Sequence, residues 1–222
     1  MSIQLSKKTI DALKNFASIN SNFLFQEGKK QATVAIANNI FANVTIDEDI
    51  PQEFPIYNLS EFLGALTLFQ DPQLDFDGNT VKVSSSTSKS SSLKFVAADK
   101  GILHIPTKEV KEPKYDLEFD LSSDTLSSIL KSSAVIGASD VLICGGTDGL
   151  KIVVCDKKNR NSNDFEITDE NWPEPTTEFT YSLKVENLKL LPGSYEVSIA
   201  GKGLSKFKNT DRGSVTFIAL EA

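Results

Sequence analysis

The chain has 222 residues and 40% hydrophobic content, enough for one large domain or two that each bury a core. Its formal charge is −7, with −2 in residues 1–110 (10 basic, 12 acidic) and −5 in residues 111–222 (13 basic, 18 acidic), which excludes a broad basic nucleic-acid surface but not a local one. No apolar run nears membrane-spanning length, no charged-then-apolar signal pattern opens the chain, and two cysteines, Cys144 and Cys155, suit a reducing compartment, so a cytosolic location is expected.

A unit repeats four times along the chain: a short alternating strand, an amphipathic helix, then two or three more strands. In the first, Ile3 and Leu5 precede a plausible N-cap at Ser6. A helix over 6–19 then places Ile10, Leu13, Phe16 and Ala17 on one face. Glu27-Gly28 and Asn38-Asn39 divide the strands that follow. In the second unit, Phe54 and Ile56 lead to Asn58, which with Glu61 resembles a capping box. The helix over 58–69 carries Leu59, Phe62, Leu63 and Leu66 on its apolar face, and Asp77-Gly78-Asn79 marks a turn. The serine-rich tract 84–92 reads as mobile. Residues 100–114, with Pro106, Pro113 and several charges, read as a linker between domains at 1–105 and 106–222.

The third unit opens on Tyr115, Leu117, Phe119 and Leu121, which alternate with polar residues up to an N-cap at Ser122. Its helix, 122–134, presents Leu126, Ile129, Leu130 and Ser133 on one face, and strands 141–144 and 150–155 flank Asp148-Gly149. The polar, acidic stretch 157–175 around Trp172 reads as mobile. In the fourth unit, Phe179, Tyr181 and Leu183 precede a short helix over 184–191 with Val185, Leu188 and Leu191, stopped by Pro192-Gly193. Strands 195–200 and 215–220 follow, with a loop over 201–213 between them.

Chemistry-bearing groups are sparse. The single histidine, His104, lies in the linker beside prolines and reads as surface decoration. Pairing about Asp148-Gly149 sets Cys144 opposite a residue near Leu150, so the two cysteines should not face each other, and without nearby histidines they lack the ligands of a structural zinc site. The run from Cys144 to Gly149 has the glycines of a phosphate loop but neither its lysine nor a following long helix, and reads as a hairpin turn. Asp47-Glu48-Asp49 reads as a solvated face. No nucleophile–base set is found, and neither a cofactor nor a metal is expected.

The lysines are patterned. Lys7, Lys8 and Lys14 lie beside or away from the apolar stripe of the first helix, Lys131 lies opposite Leu126 and Leu130, and Lys184 and Lys189 flank the fourth helix. Lys202, Lys206, Lys208 and Arg212 gather in 201–213. Any one of these would serve as ordinary solvated surface; their recurrence in equivalent units suggests that the helical side meets a polyanion.

The arrangement resembles a DNA sliding clamp, and the sequence is similar to the clamp of T-even-type tailed bacteriophages. The resemblance is carried by Lys14-Asn15-Phe16-Ala17-Ser18-Ile19-Asn20-Ser21, by Ile56-Tyr57-Asn58-Leu59-Ser60-Glu61-Phe62-Leu63-Gly64, by Leu190-Leu191-Pro192-Gly193-Ser194-Tyr195 and by the terminal Ala219-Leu220-Glu221-Ala222. None is a catalytic motif, and their order along the whole chain gives them specificity.

The resemblance implies an α+β clamp fold of two similar domains, with helices lining a central hole and sheets outside. It implies a homotrimeric ring around duplex DNA in the host cell cytoplasm, without enzymatic activity. The ring tethers the replicative polymerase through that protein's C-terminal peptide, is placed by an ATP-dependent clamp loader, and co-activates late transcription with a sigma-like factor. DNA-facing lysines would be Lys7, Lys8, Lys14, Lys131, Lys184, Lys189, Lys202, Lys206 and Lys208; the second helix offers Ser60, Glu61, Gly64 and Thr67 instead. By analogy with clamp topology, Leu93 and Phe95 would pair with Phe165 and Ile167 of the next subunit, and Ile102, Ile105 and Leu220 would help line the peptide pocket. The alternative is a β-rich structural or interaction protein, such as a virion component, that does not encircle DNA.

Overall fold

A computed structural model describes residues 2–86, 91–159 and 161–221. The chain divides into two compact units, Met1–Glu109 and Val110–Ala222.

In the first unit, β1 (Ser2–Ile3) leads into α1 (Lys7–Ile19), then β2 (Phe23–Phe25), β3 (Gly28–Val34) and β4 (Ile40–Ile50). β5 (Phe54–Ile56) precedes α2 (Leu59–Leu66), followed by β6 (Pro72–Asp77), β7 (Thr80–Ser85) and β8 (Ser92–Val96). Both helices begin where their caps place them: Thr9 N–H donates to Ser6 Oγ at 3.2 Å, and Glu61 N–H to Asn58 Oδ1 at 3.2 Å. The antiparallel sheet runs β1-β6-β7-β8, β2 pairs with β5, and β3 with β4.

The core of this unit follows from its phenylalanines. Ring centroids lie 5.9 Å apart for Phe16 and Phe23, 5.0 Å for Phe23 and Phe25, 5.8 Å for Phe25 and Phe62, and 5.1 Å for Phe62 and Phe95. The first pair is tilted and the other three are edge-on, and such pairs contribute about 0.5–1.5 kcal/mol beyond burial alone. They join helix faces to strand faces, which fixes the side of each helix that turns to solvent.

The second unit contains β9 (Leu117–Leu121), α3 (Ser123–Ile136), β10 (Asp140–Gly146), β11 (Gly149–Cys155), β12 (Phe165–Thr168), β13 (Phe179–Lys184), β14 (Tyr195–Ala200), β15 (Leu204–Asn209) and β16 (Val215–Ala219). One sheet runs β12-β11-β10-β13, and β9, β14, β15 and β16 pair in that order. Ser122 Oγ accepts from Thr125 N–H at 3.0 Å to start α3, and Gly137, at φ 69°, closes it in a left-handed turn. The β10–β11 hairpin sets Cys144 opposite Lys151 and Cys155 opposite Asp140, so both thiols are free, as the turn position implies.

Three expectations are corrected. The fourth helix is only a 3-10 turn, Val185–Asn187. A β-branched valine and an asparagine lower its helix propensity, and, unlike α2 of the same length, it has no side-chain cap to help offset nucleation, since Lys184 provides none. The stretch around Trp172 is anchored rather than loose: Trp172 is buried, its ring lies 5.5 Å from Phe119, and its Nε1–H donates to Asp120 O at 2.7 Å. Residues 201–213 contain the strand β15, which pairs on both sides. Part of the serine tract, residues 87–90, lies outside the described residues, as does Ala222.

The run Leu191-Pro192-Gly193-Ser194-Tyr195 makes the turn into β14. Gly193 sits at φ 139°, and a Cβ there would come within 2.8 Å of Asn209 Nδ2, so glycine is required. Tyr195, 1% exposed, donates its hydroxyl to Leu191 O at 2.5 Å.

Candidate nucleic-acid interface

α1 turns Thr9, Ala12, Leu13 and Phe16 inward and leaves Lys7, Lys8 and Lys14 exposed. Lys7 and Lys14, seven residues apart, fall on one side of the helix. The helix start is already satisfied by acidic groups: Glu48 accepts from Ser6 N–H and, at 2.6 Å, from the Thr9 hydroxyl, and Asp47 accepts from the Ser6 hydroxyl at 3.0 Å. Asp47 and Glu48 are therefore capping groups rather than idle surface, a role hidden in sequence by the 39 or more residues that separate the partners. α3 buries Leu126, Ile129 and Ser133 and exposes Lys131. α2 exposes Ser60, Glu61, Gly64 and Thr67 and carries no lysine. Lys202 is exposed in the β14–β15 turn, and Lys189 is half-buried just beyond the 3-10 turn.

Three of the expected lysines are engaged elsewhere. Lys184 Nζ lies 2.5 Å from Asp140 Oδ1, whose side chain is 1% exposed. The other Asp140 oxygen accepts from Ser139 Oγ at 2.7 Å and from Lys157 N–H at 3.2 Å. Burial alone would raise this carboxyl; the bonds from Lys184, Ser139 and Lys157 outweigh it and hold the group below the ordinary carboxylate range. The bond to Asp140 in turn raises Lys184. Lys206 and Lys208 lie on β15, on the side opposite Phe207, and pair with Glu112 at 2.7 Å and Glu196 at 2.8 Å.

At the strand edges, Leu93 and Phe95 are half-buried against the core of the first unit. β8 closes its sheet with no neighbour on its outer side among the described residues, and Val96 at its end is exposed. β12 is likewise an outer strand, with Phe165 exposed, Ile167 half-buried, and Lys151 bound to Glu166 at 2.8 Å across the β11–β12 pair. Ile102 is exposed at the end of the 3-10 turn Lys100–Ile102, and Ile105 and Leu220 are half-buried. His104, read as decoration, fastens its segment instead: its Nε2 lies 3.2 Å from Ala35 O and from Asn38 Oδ1, while Asn20 Nδ2 donates to its carbonyl at 2.8 Å. Among the described residues no group of three or more His, Cys, Asp or Glu could hold a metal ion, and no helix is long and apolar enough to cross a membrane.

Strand-flanked helices with lysines exposed on α1 and α3 are what a binding protein of the clamp class presents. Comparison with known proteins agrees. The family described as DNA polymerase processivity factor matches residues 5–101. The chain is 32% identical over 209 residues to the sliding clamp of Vibrio phage KVP40, covering 92% of this chain and 94% of that one. It is 29% identical over 230 residues to the sliding clamp of Escherichia phage RB69, covering 99% and 97%. Among solved structures, proliferating cellular nuclear antigen from Entamoeba histolytica superposes with a TM-score of 0.72 at 15% identity, over 100% of this chain and 98% of that one. A. fulgidus PCNA, solved with the C-terminal region of FEN-1 bound to it, gives 0.71 at 13%, over 100% and 98%. The chain belongs to the sliding clamp family of T4-type bacteriophages. It has the clamp fold and acts as a processivity factor for DNA synthesis, not as an enzyme.

Proposed function

We propose that the chain assembles as a homotrimeric ring that encircles duplex DNA and tethers the replicative polymerase. The observation that carries this reading is the set of exposed lysines, Lys7, Lys8 and Lys14 on α1 and Lys131 on α3, in a chain of net charge −7. Lysine is a flexible point charge, and phosphate contacts carry no base sequence, so a few such contacts centre a duplex without stopping translation along it. The acidic remainder of the surface disfavours DNA elsewhere. Each compact unit is one clamp domain on this reading, and rings close head to tail through β8, with Leu93 and Phe95, and β12, with Phe165 and Ile167.

The polymerase's C-terminal peptide is proposed to dock its apolar anchors on Ile102 and Ile105, with Leu220 a further contact. An ATP-dependent loader places the ring, and a sigma-like factor uses it in late transcription, in the host cell cytoplasm. Retention on DNA tests the reading. Protein loaded on nicked circular DNA should stay bound through gel filtration at moderate salt and be lost once the circle is cut. Equal loss from circles and linear DNA would refute encirclement.

A further inference from the structure

Lys206 does not present a free cation. Its side chain is 19% exposed, and its Nζ lies 2.7 Å from Glu112 Oε2, 5.9 Å from the Tyr115 ring centroid and 6.0 Å from that of Phe217. Tyr115 donates its hydroxyl to the same Glu112 oxygen at 3.2 Å. One residue further on, Asp116 N–H donates to Ile199 O at 2.7 Å, and Asp116 Oδ2 accepts from Gly201 N–H at 2.7 Å. Residues 112–116 are thus stitched to β14 and β15. Among the described residues, 105–111 make no hydrogen bond, and the preceding anchor is His104. The ammonium thus has two aromatic rings and a carboxylate as partners, although the Glu112 side chain itself is 46% exposed.

We propose that Lys206 is a positioning residue that fixes residues 112–116 and, through them, the connecting segment 105–111, so that it governs partner docking rather than contact with DNA. The docking consequence rests on the reading above that this segment receives the polymerase peptide; the fastening itself does not. On this account Glu112 is the counter-ion that sets where the ammonium sits, and the rings of Tyr115 and Phe217 set its depth. Loss of the ammonium releases Glu112 and leaves the bonds of Asp116 to Ile199 and Gly201 as the first anchor after residues 105–111.

The test uses the full chain with K206M, E112Q and K206R. Hydrogen exchange is followed for amides 105–116 and, as an internal reference, for β14 and β16. Affinity is measured with a labelled synthetic peptide comprising the C-terminal residues of the phage's own polymerase. K206M and E112Q should speed exchange at Asp116 several-fold, leave the reference strands protected and weaken peptide binding several-fold. K206R, which keeps the cation, should restore both. Unchanged exchange at Asp116 in both variants overturns the positioning role. Faster exchange with full peptide affinity overturns the docking role. If the wild-type chain itself fails to bind the peptide, the docking site lies elsewhere and the fastening is judged by exchange alone.

Discussion

Single residues decide which charges of this chain are structural. Asp140 is almost completely buried and its ion pair with Lys184 is partly so. Removing one partner of such a pair leaves an uncompensated buried charge, at a cost of about 3–5 kcal/mol. K184M should therefore unfold at markedly lower urea concentration than the wild type, whereas D140N, which frees a lysine able to reach water, should lose less. Because the folded carboxyl sits below its ordinary value, its contribution is present above the unfolded carboxylate pKa and is lost as pH falls through the folded one. The gap between wild type and D140N should thus narrow as pH falls below the ordinary carboxylate value, in urea melts run at stepped pH. Tyr195 works in the opposite direction. Burial pushes its hydroxyl up to about 12, so its stabilisation is complete below the unfolded tyrosine pKa of about 10 and fades between there and about 12. Y195F, which also gives up the bond to Leu191 O, should cost about 1 kcal/mol at neutral pH. It should also flatten the alkaline limb of the stability curve.

At the scale of elements, the readable parts of the sequence are those governed by local periodicity and caps. Ser6, Asn58 and Ser122 stand at the starts of α1, α2 and α3, and most apolar positions at three- and four-residue spacing are buried, although Ile10 and Ala17 are half-buried and Leu130, expected on the apolar face of α3, is exposed. The fourth helix is shorter than its apolar spacing implies: the 3-10 turn contains only Val185 of the three apolar positions, with Leu188 at its end and Leu191 beyond it. Contacts between distant segments left no local trace: Glu48 on Thr9, His104 on Ala35, Trp172 on Asp120, Glu112 on Lys206. The lysine pattern was legible only as a pattern. Exposure keeps Lys7, Lys8, Lys14 and Lys131 as candidates for DNA, while geometry gives Lys184, Lys206 and Lys208 carboxylate partners. A Lys7/Lys8/Lys14/Lys131→Glu variant should melt close to the wild type, since exposed charges contribute about 0–1 kcal/mol each. Its half-life on circular DNA should shorten at low salt, with the difference narrowing as salt rises. Equal half-lives at low salt would remove these four side chains from the DNA-facing set.

For the whole molecule, two of the outer strands set the assembly question. β8 and β12 are outer strands, which natural proteins cover or pair because bare edges invite association. Their side chains divide into two kinds. Phe95 turns toward Phe62 and the core of its own unit, with 5.1 Å between ring centroids, whereas Val96 and Phe165 stand exposed. A truncation at Phe95 therefore acts first on folding, by leaving a cavity, and F95A should cost about 2 kcal/mol in the half-buried setting. A charge at Val96 or Phe165 acts on association instead, because the isolated chain leaves both side chains in water. If the ring closes through these strands, V96D and F165D should melt like the wild-type monomer yet sediment as monomers. The wild type, at the same concentration, should run near three times 24.3 kDa. Sedimentation at several concentrations, beside thermal melts, separates the two effects: a full trimer in both aspartate variants would move the subunit boundary away from β8 and β12, whatever happens to F95A.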